Sequence, residues 1–152
     1  MGVLFMEFRT KNSSETKNLS RFLLKKIARI KATKALVVAL EGELGAGKTT
    51  FVQGLAKEFG IKNRIKSPTF NLMKRYFITR SDLDFENFYH IDCYRLKDYK
   101  DLEILGIREI LEDSRNIILI EWADRVKEIL PKKCVKIHID HIGKNERKIS
   151  IK

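Results

Sequence analysis

Residues 42–49 carry a Gly-x-x-x-x-Gly-Lys-Thr octet, whose residue types and spacing suit the binding of phosphate groups. Glycines adopt positive φ at little cost, which lets the backbone turn tightly and point several N–H groups at one anion. The ammonium group of Lys48 can reach the β- and γ-phosphate oxygens of a nucleotide, and the hydroxyl of Thr49 can bind Mg²⁺. The octet therefore predicts a nucleoside-triphosphate site.

The flanking sequence supplies the elements that such a loop requires. Residues 35–40 form an apolar run typical of a strand buried on both faces. After the octet, residues 50–59 place four apolar side chains at helical spacing, and Gly60 follows as a stop signal. A strand, a glycine-rich turn and a helix in this order argue against a chance match.

Two acidic residues end apolar strands, which is where an open α/β sheet binds its ligands. Glu121 follows four apolar residues, and we expect it to bind Mg²⁺ directly or through water. Asp92 ends a second apolar run and is the candidate for orienting or deprotonating the attacking water. The two roles could be exchanged, and either carboxylate could instead cap a helix or pair with a lysine.

The Ser-Pro-Thr-Phe segment at residues 67–70 interrupts the pattern of apolar residues and is expected to be a loop. Thr69 in this loop is a candidate sensor of a γ-phosphate, and an ordinary proline turn is the equal alternative. Arg95 could face phosphate or a partner. The histidines and cysteines do not group into a metal-binding pattern.

Length and composition fit one domain, residues 1–152, with a substantial core, because 43% of the 152 residues are hydrophobic. No apolar run approaches the roughly 18 residues of a transmembrane helix, and the first residues lack the basic leader of a signal peptide. Two cysteines are too few for a disulfide framework. We expect a cytoplasmic protein without a membrane partner.

The formal net charge is +11, which fits a nucleic-acid-associated role because lysine and arginine neutralise phosphates. Lysine- and glutamate-rich surfaces are also typical of hyperthermophile proteins. The basic residues are spread along the chain. A weak basic face that docks onto an RNA-bearing partner is therefore favoured over direct, stable RNA binding.

Alternation and helical periodicity predict an α/β protein whose mixed sheet is flanked by helices. Strands are expected at residues 3–9, 35–40, 71–79, 87–92, 116–120, 134–140 and 147–151, the last two as a hairpin. Helices are expected at residues 13–30, 50–59, 101–111 and 124–130. Asn12, with Glu15 three positions later, resembles a capping box at the first helix.

Four motifs in register resemble those of the bacterial TsaE (YjeE) family. They lie at residues 40–51, 67–70, 90–96 and 121–122, and residues 105–107 also fit the pattern of the family. The resemblance runs from the first strand to the terminal hairpin and is most specific between residues 40 and 122. With the octet, it implies a P-loop NTPase-like three-layer α/β/α sandwich with a mixed sheet.

The resemblance also implies a function, namely that of an ATPase of tRNA modification. Because no arginine finger is evident near the γ-phosphate, we expect slow hydrolysis by the protein alone and faster turnover with its partner. Such a protein serves the placing of threonylcarbamoyl on the adenosine next to the anticodon without performing the transfer. The implied partner is the heterodimer of TsaB and TsaD, and the protein would contact tRNA indirectly through that complex. The implied cofactors are ATP and Mg²⁺. The implied ATP-binding residues are Glu43, Leu44, Gly45, Ala46, Gly47, Lys48, Thr49 and Thr50.

By the same resemblance, Thr49 and Glu121 would hold Mg²⁺. The catalytic residues would be Lys48, Asp92, Glu121 and Thr69. Trp122 would lie near them. The resemblance does not assign the residues that contact the adenine base. Arg147 is a candidate for such a contact without further support from the sequence.

Two alternatives stay open. A small-molecule P-loop kinase usually begins at the P-loop strand and carries an arginine-bearing lid, whereas here a strand and a helix come first and no such lid is evident. A nucleotide-dependent interaction module with negligible turnover differs from an ATPase in rate alone. A GTPase is disfavoured because the guanine-reading Asn-Lys-x-Asp tetrad is absent.

Overall fold

The apolar and alternating runs of the sequence form seven strands of one mixed sheet in a computed structural model, which describes residues 5–68 and 71–152. The strands are β1 (Met6–Thr10), β2 (Leu36–Glu41), β3 (Met73–Phe77), β4 (Asn87–Asp92), β5 (Asn116–Glu121), β6 (Val135–His141) and β7 (Arg147–Ile151). The helices are α1 (Ser13–Ile27), α2 (Lys48–Glu58), α3 (Lys100–Ile104) and α4 (Ile107–Glu112), with a 3-10 helix at Ala123–Ile129.

The strand order in the sheet is β1-β7-β6-β2-β5-β4-β3. Its centre is parallel, because β2 pairs in parallel with both β5 and β6, and β4 pairs in parallel with β5. The edges are antiparallel, as β3 pairs with β4, β6 with β7, and β7 with β1. The expected mixed sheet and terminal hairpin are therefore confirmed.

Helices cover both faces of the central strands, which explains why β2 and β5 are apolar at almost every position. Val38 and Leu119 pack on one face with the apolar sides of α1 and α2. Val37 and Ile118 pack on the other face with α3, α4 and the 3-10 helix. Because successive strand residues point to opposite faces, the two strands contribute to both cores. The expected three-layer α/β/α sandwich is confirmed.

The first helix begins as the sequence predicts but ends earlier. The side chain of Asn12 accepts a hydrogen bond from the backbone N–H of Glu15, and Glu15 accepts one from the N–H of Lys11. The helix ends at Ile27, after which hydrogen bonds between residues three apart tighten the last turn. Ile30, the last residue of the predicted range 13–30, therefore lies beyond the helix and is 44% exposed.

Several further elements differ from the prediction. The strand expected at residues 3–9 is described from Met6 to Thr10, and residues 3 and 4 of that prediction lie outside the described residues. The helix expected at residues 101–111 is two helices, because Gly106 adopts a φ of 83° between them. The segment expected as a helix at 124–130 is a 3-10 helix with non-helical backbone at Val126. The strand expected at 71–79 stops at Phe77, where its pairing with β4 ends.

No helix in residues 5–68 and 71–152 combines the length and the apolar character that crossing a bilayer requires.

Candidate functional site

The loop between β2 and α2 follows the octet and depends on its glycines. Gly42, Gly45 and Gly47 have φ values of 146°, 78° and 106°, a region that side chains rarely adopt. A Cβ atom on Gly42 would lie 2.4 Å from the carbonyl oxygen of Ile139 on β6. The loop therefore turns against the neighbouring strand at a distance that only glycine permits, and α2 begins directly after it at Lys48.

Lys48 is buried under the loop. Its Nζ atom donates to the carbonyl oxygens of Gly42 at 2.6 Å and Glu43 at 2.8 Å, and it lies 4.1 Å from the centre of the Trp122 ring. Burial lowers the pKa of Lys48, and the carboxylates of Glu121, Asp92 and, least, Asp124 oppose that shift. A cation with nearby carboxylates and two carbonyl partners is held in position by its surroundings.

Thr49 and Glu121 meet at the ends of α2 and β5. The Thr49 hydroxyl donates to Oε1 of Glu121 at 2.9 Å. Oε2 of the same carboxylate lies 2.5 Å from Nε2 of His90 on β4, a side chain with no solvent exposure. Since an ionised carboxylate only accepts, His90 donates from Nε2. His90 and Thr49 thereby fix the orientation of Glu121.

Asp92 lies on the strand beside Glu121 at the same level of the sheet, because the two residues are register partners in the parallel pair of β4 and β5. The hydroxyl of Ser67 donates to Oδ2 of Asp92 at 2.5 Å, and the N–H of Tyr94 donates to Oδ1 at 3.0 Å. Both oxygens retain further lone pairs for a water or a ligand. The two carboxylates predicted from the strand ends therefore do share one edge of the sheet.

A cavity of about 460 Å³ lies over the loop. It is lined by Leu44, Gly45, Gly47, Lys48, Thr49, Thr50, Ser67, Asp92, Tyr94, Arg95, Glu121 and Trp122. The structure thus brings together most of the predicted site residues. Glu43 contributes a carbonyl to Lys48 instead, and the side chain of Ala46 is buried in the core. Thr69 lies outside the described residues.

A second cavity, of about 330 Å³, adjoins the first, because Gly47 and Thr50 line both. Its other lining residues are Asn12, Ser13, Thr16, Asn145 and Arg147. It therefore joins the start of α1 to the terminal hairpin beside the loop. Arg147, a candidate from the sequence for contacting the adenine, lines this second cavity.

Trp122 has a backbone conformation that is uncommon outside glycine, with a φ of 57°. Its ring packs against Lys48 and against Tyr94, whose ring centre is 5.0 Å away. The guanidinium of Arg125 lies 5.3 Å from the Trp122 ring. Such backbone strain, of about 1–3 kcal/mol, is concentrated at functional sites. Trp122 follows Glu121 directly, and in this backbone conformation its indole ring lies over Nζ of Lys48.

Sequence reasoning missed the contacts of His90 and Ser67. Strand alternation could have placed His90 at the site, because His90 lies two residues before Asp92 and therefore on the same face of β4. Nδ1 of His90 is buried and has no hydrogen-bond partner among the described residues. Ser67 lies in the loop from which Thr69 had been chosen, and nothing in the local sequence distinguishes the two.

The oxygen donors at the site suit Mg²⁺. The ion prefers hard oxygen ligands and usually combines one or two protein groups with phosphate oxygens and waters. The Thr49 hydroxyl and the Glu121 carboxylate are such groups, and they lie within hydrogen-bond distance of each other. Residues 5–68 and 71–152 contain no cluster of three or more His, Cys, Asp or Glu side chains that could hold a metal ion by themselves. The residues present fit an ion shared with a phosphate ligand.

The parallel centre of the mixed sheet, the glycine-rich loop before α2 and the carboxylates at the strand ends define a P-loop-like α/β protein. The family model "Threonylcarbamoyl adenosine biosynthesis protein TsaE" matches residues 10–149. The chain therefore belongs to the TsaE family.

Relatives agree with this assignment. The chain is 38% identical to the Haemophilus influenzae "tRNA threonylcarbamoyladenosine biosynthesis protein TsaE" over 82% of the chain and 73% of that relative. It is 37% identical to the Bacillus subtilis protein of the same name, over 95% of the chain and 84% of the relative. The crystal structure of Bacillus subtilis YdiB superposes with a TM-score of 0.73 at 34% identity and covers 99% of this chain and 86% of that one.

Proposed function

We propose that this protein binds ATP with Mg²⁺ and hydrolyses it slowly in tRNA threonylcarbamoyladenosine biosynthesis, acting with the TsaB–TsaD heterodimer and not performing the transfer itself. The observation that carries the proposal is the Thr49 hydroxyl bonded to the buried Glu121 carboxylate beside Lys48. The pathway follows from the names of the relatives.

The residues of the site divide the work of phosphate binding. The N–H groups of the loop and of the start of α2 would donate hydrogen bonds to a bound phosphate chain, at the positive end of the helix dipole. A phosphate would offer Lys48 an anionic acceptor in place of its two loop carbonyls, and charged hydrogen bonds are roughly twice as strong as neutral ones. Thr49 and Glu121 would hold Mg²⁺, which neutralises phosphate charge when bound.

Asp92 is our candidate for the residue that orients the attacking water. The donors on its two oxygens, Ser67 and the Tyr94 N–H, fix the direction in which the carboxylate points. Because these contacts leave lone pairs available, Asp92 can accept a hydrogen bond from water while remaining in place. The sugar and base of the nucleotide would extend into the second cavity, toward Asn12 and Arg147.

Slow turnover is expected because few of the described residues that line the cavity are basic. Among the residues that line it, Lys48 and Arg95 are the basic ones, and Arg95 is exposed. An additional arginine supplied by a partner is worth on the order of 10³-fold or more in phosphoryl transfer. We therefore expect the heterodimer to raise the rate.

Phosphate release from ATP, measured with and without the TsaB–TsaD heterodimer, tests this proposal. We expect slow release by the protein alone and at least a tenfold rise with the heterodimer. Equal rates would contradict partner activation. Capture of the heterodimer in ATP and in ADP tests the interaction module, because nucleotide-dependent capture without turnover indicates that function. An assay for phosphate transfer from ATP to a small molecule tests the kinase, and such transfer would indicate it.

A further inference from the structure

A third cavity, of about 690 Å³, lies further along α2 and shares no lining residue with the two cavities beside the loop. Four of its lining residues are basic: Lys17, Lys57, Lys62 and Arg64. No described residue that lines it is acidic. Its size lies in the range of pockets that bind ligands, roughly 300–1,000 Å³.

The four basic side chains are exposed, and none of them forms an ion pair within residues 5–68 and 71–152. Two acidic residues close in sequence to the lining residues Lys57 and Thr79 are already paired with arginines. Glu58 pairs with Arg21 at 3.3 Å, and Asp82 pairs with Arg80 at 2.5 Å. The cations around the cavity therefore add to one positive field, which a concave surface concentrates.

The wall of the cavity is held in place by side-chain hydrogen bonds to its backbone. Nε2 of Gln53 on α2 donates to the carbonyl oxygen of Ile65 at 2.9 Å. The hydroxyl of Thr79 donates to the carbonyl oxygen of Gly60 at 2.6 Å. The segment from Gly60 to Ile65, which carries Lys62 and Arg64, is thereby fixed at both ends. Its cations are presented from an ordered backbone.

We propose that this cavity binds the phosphodiester backbone of a folded RNA without reading its sequence. Phosphates are the anions that an array of unpaired lysine and arginine side chains complements. None of the described residues that line the cavity is aromatic, so these residues do not offer the stacking platform that single-strand binders use. The proposal goes beyond the ATPase function and does not rest on it, because the lining residues are separate.

The test uses the full chain and a folded tRNA transcript, with the dissociation constant measured by fluorescence anisotropy at several salt concentrations. The double variant Lys62→Ala/Arg64→Ala should bind at least roughly tenfold more weakly than the unmodified protein at low salt. Loss of two phosphate contacts should also flatten the slope of log K against log salt by about 1.4–1.8. The matched control, Lys132→Ala/Lys133→Ala, removes the same charge from exposed positions before β6 and should change affinity less than about threefold.

Three outcomes overturn the proposal. Absence of RNA binding by the unmodified protein, or equal losses in the two double variants, would show that the cavity has no role of its own. Intact RNA binding with lost capture of the TsaB–TsaD heterodimer would assign the cavity to an acidic protein surface. Circular dichroism of the same samples confirms folding, and calorimetric titration with ATP shows separately whether the proposed nucleotide function holds.

Discussion

Arg147, at the start of β7, donates from Nε to the carbonyl oxygen of Ala46 in the phosphate-binding loop at 2.7 Å. The two residues are 101 positions apart in the chain. Nη2 of the same guanidinium lies 3.5 Å from the carbonyl oxygen of Gly45. Arg147 is also the register partner of Thr10 on β1 and of His141 on β6. The terminal hairpin therefore holds the phosphate-binding loop at Gly45 and Ala46 through the guanidinium of Arg147.

We expect Arg147→Ala to weaken ATP binding by roughly tenfold or more, because hydrogen bonds from charged groups contribute about 1.5–3 kcal/mol. Isothermal titration calorimetry with ATP measures the change. Lys148→Ala is the matched control, since Lys148 is the next residue on β7 and pairs with Glu7 at 3.7 Å on the surface. Equal losses in the two variants would mean that Arg147 does not act through the loop.

Glu121→Gln should remove the Mg²⁺-dependent part of ATP affinity, because the amide keeps the shape of the side chain and loses its charge. Affinity in the presence of a chelator should stay within about threefold of the unmodified protein. Titrations with and without Mg²⁺ measure both parts. Asp124→Asn is the control, since Asp124 is exposed, acts on Lys48 only through its charge, and makes no bond to Thr49. An unchanged Mg²⁺ effect in Glu121→Gln would rule out the metal role.

His90→Ala should lower the free energy of unfolding by about 2 kcal/mol or more, because the buried Glu121 carboxylate loses a charged hydrogen bond and a space opens around it. Chemical denaturation followed by circular dichroism measures the loss. His138→Ala is the control, since the His138 side chain is 48% exposed and its contact with Asp140 lies on the surface. We expect that variant to change stability by less than about 0.5 kcal/mol.

Gly42→Ala should destabilise the protein by about 2 kcal/mol or more. The added Cβ meets the carbonyl oxygen of Ile139 at 2.4 Å, and the φ of 146° is strained for alanine. In Gly143→Ala the nearest atom, Cβ of Glu146, would be 3.6 Å away, so we expect little change. Melting temperatures of the two variants give the comparison. Similar values would mean that the loop relaxes away from β6 without cost.

The buried thiol of Cys93 should make stability fall as pH rises. Burial raises the pKa of Cys93 from 9.0 to about 12. Above pH 9 the unfolded chain loses this proton while the folded chain keeps it, so the free energy of unfolding decreases between pH 9 and 12. The slope for one group is at most about 1.4 kcal/mol per pH unit.

Cys93→Ala isolates this contribution from the lysines and tyrosines that titrate in the same range. The stability difference between the unmodified protein and Cys93→Ala should shrink from pH 9 to 11 in urea denaturation. If the free energies of unfolding of the two proteins changed with pH in parallel, the pH effect could not be assigned to Cys93. Cys134→Ala is the control: burial also raises the pKa of Cys134, but its environment is half-buried, so its pH effect should be smaller.

The sequence by itself determined the features that depend on local spacing. The octet, the apolar run before it and the helix after it require only neighbouring residues, and β2, the loop and α2 form where these patterns predict. Glu121 and Asp92 end apolar strands, and parallel pairing brings such ends to one edge. The mixed sheet flanked by helices follows from the same patterns, whereas the three-layer sandwich was what the resemblance to the TsaE family implied. The individual roles of these residues remain predictions.

Tertiary structure decided what joins distant parts of the chain. His90 contacts Glu121 because β4 lies beside β5, and Arg147 reaches Ala46 because the hairpin folds back beside β2. The first helix ends at Ile27, before the predicted residue 30, and Ile30 is exposed. Local patterns state which face of an element is apolar and where a turn occurs, but strand order selects the partner of each polar group. A buried hydrogen bond between remote residues is therefore visible only once the sheet has been assembled.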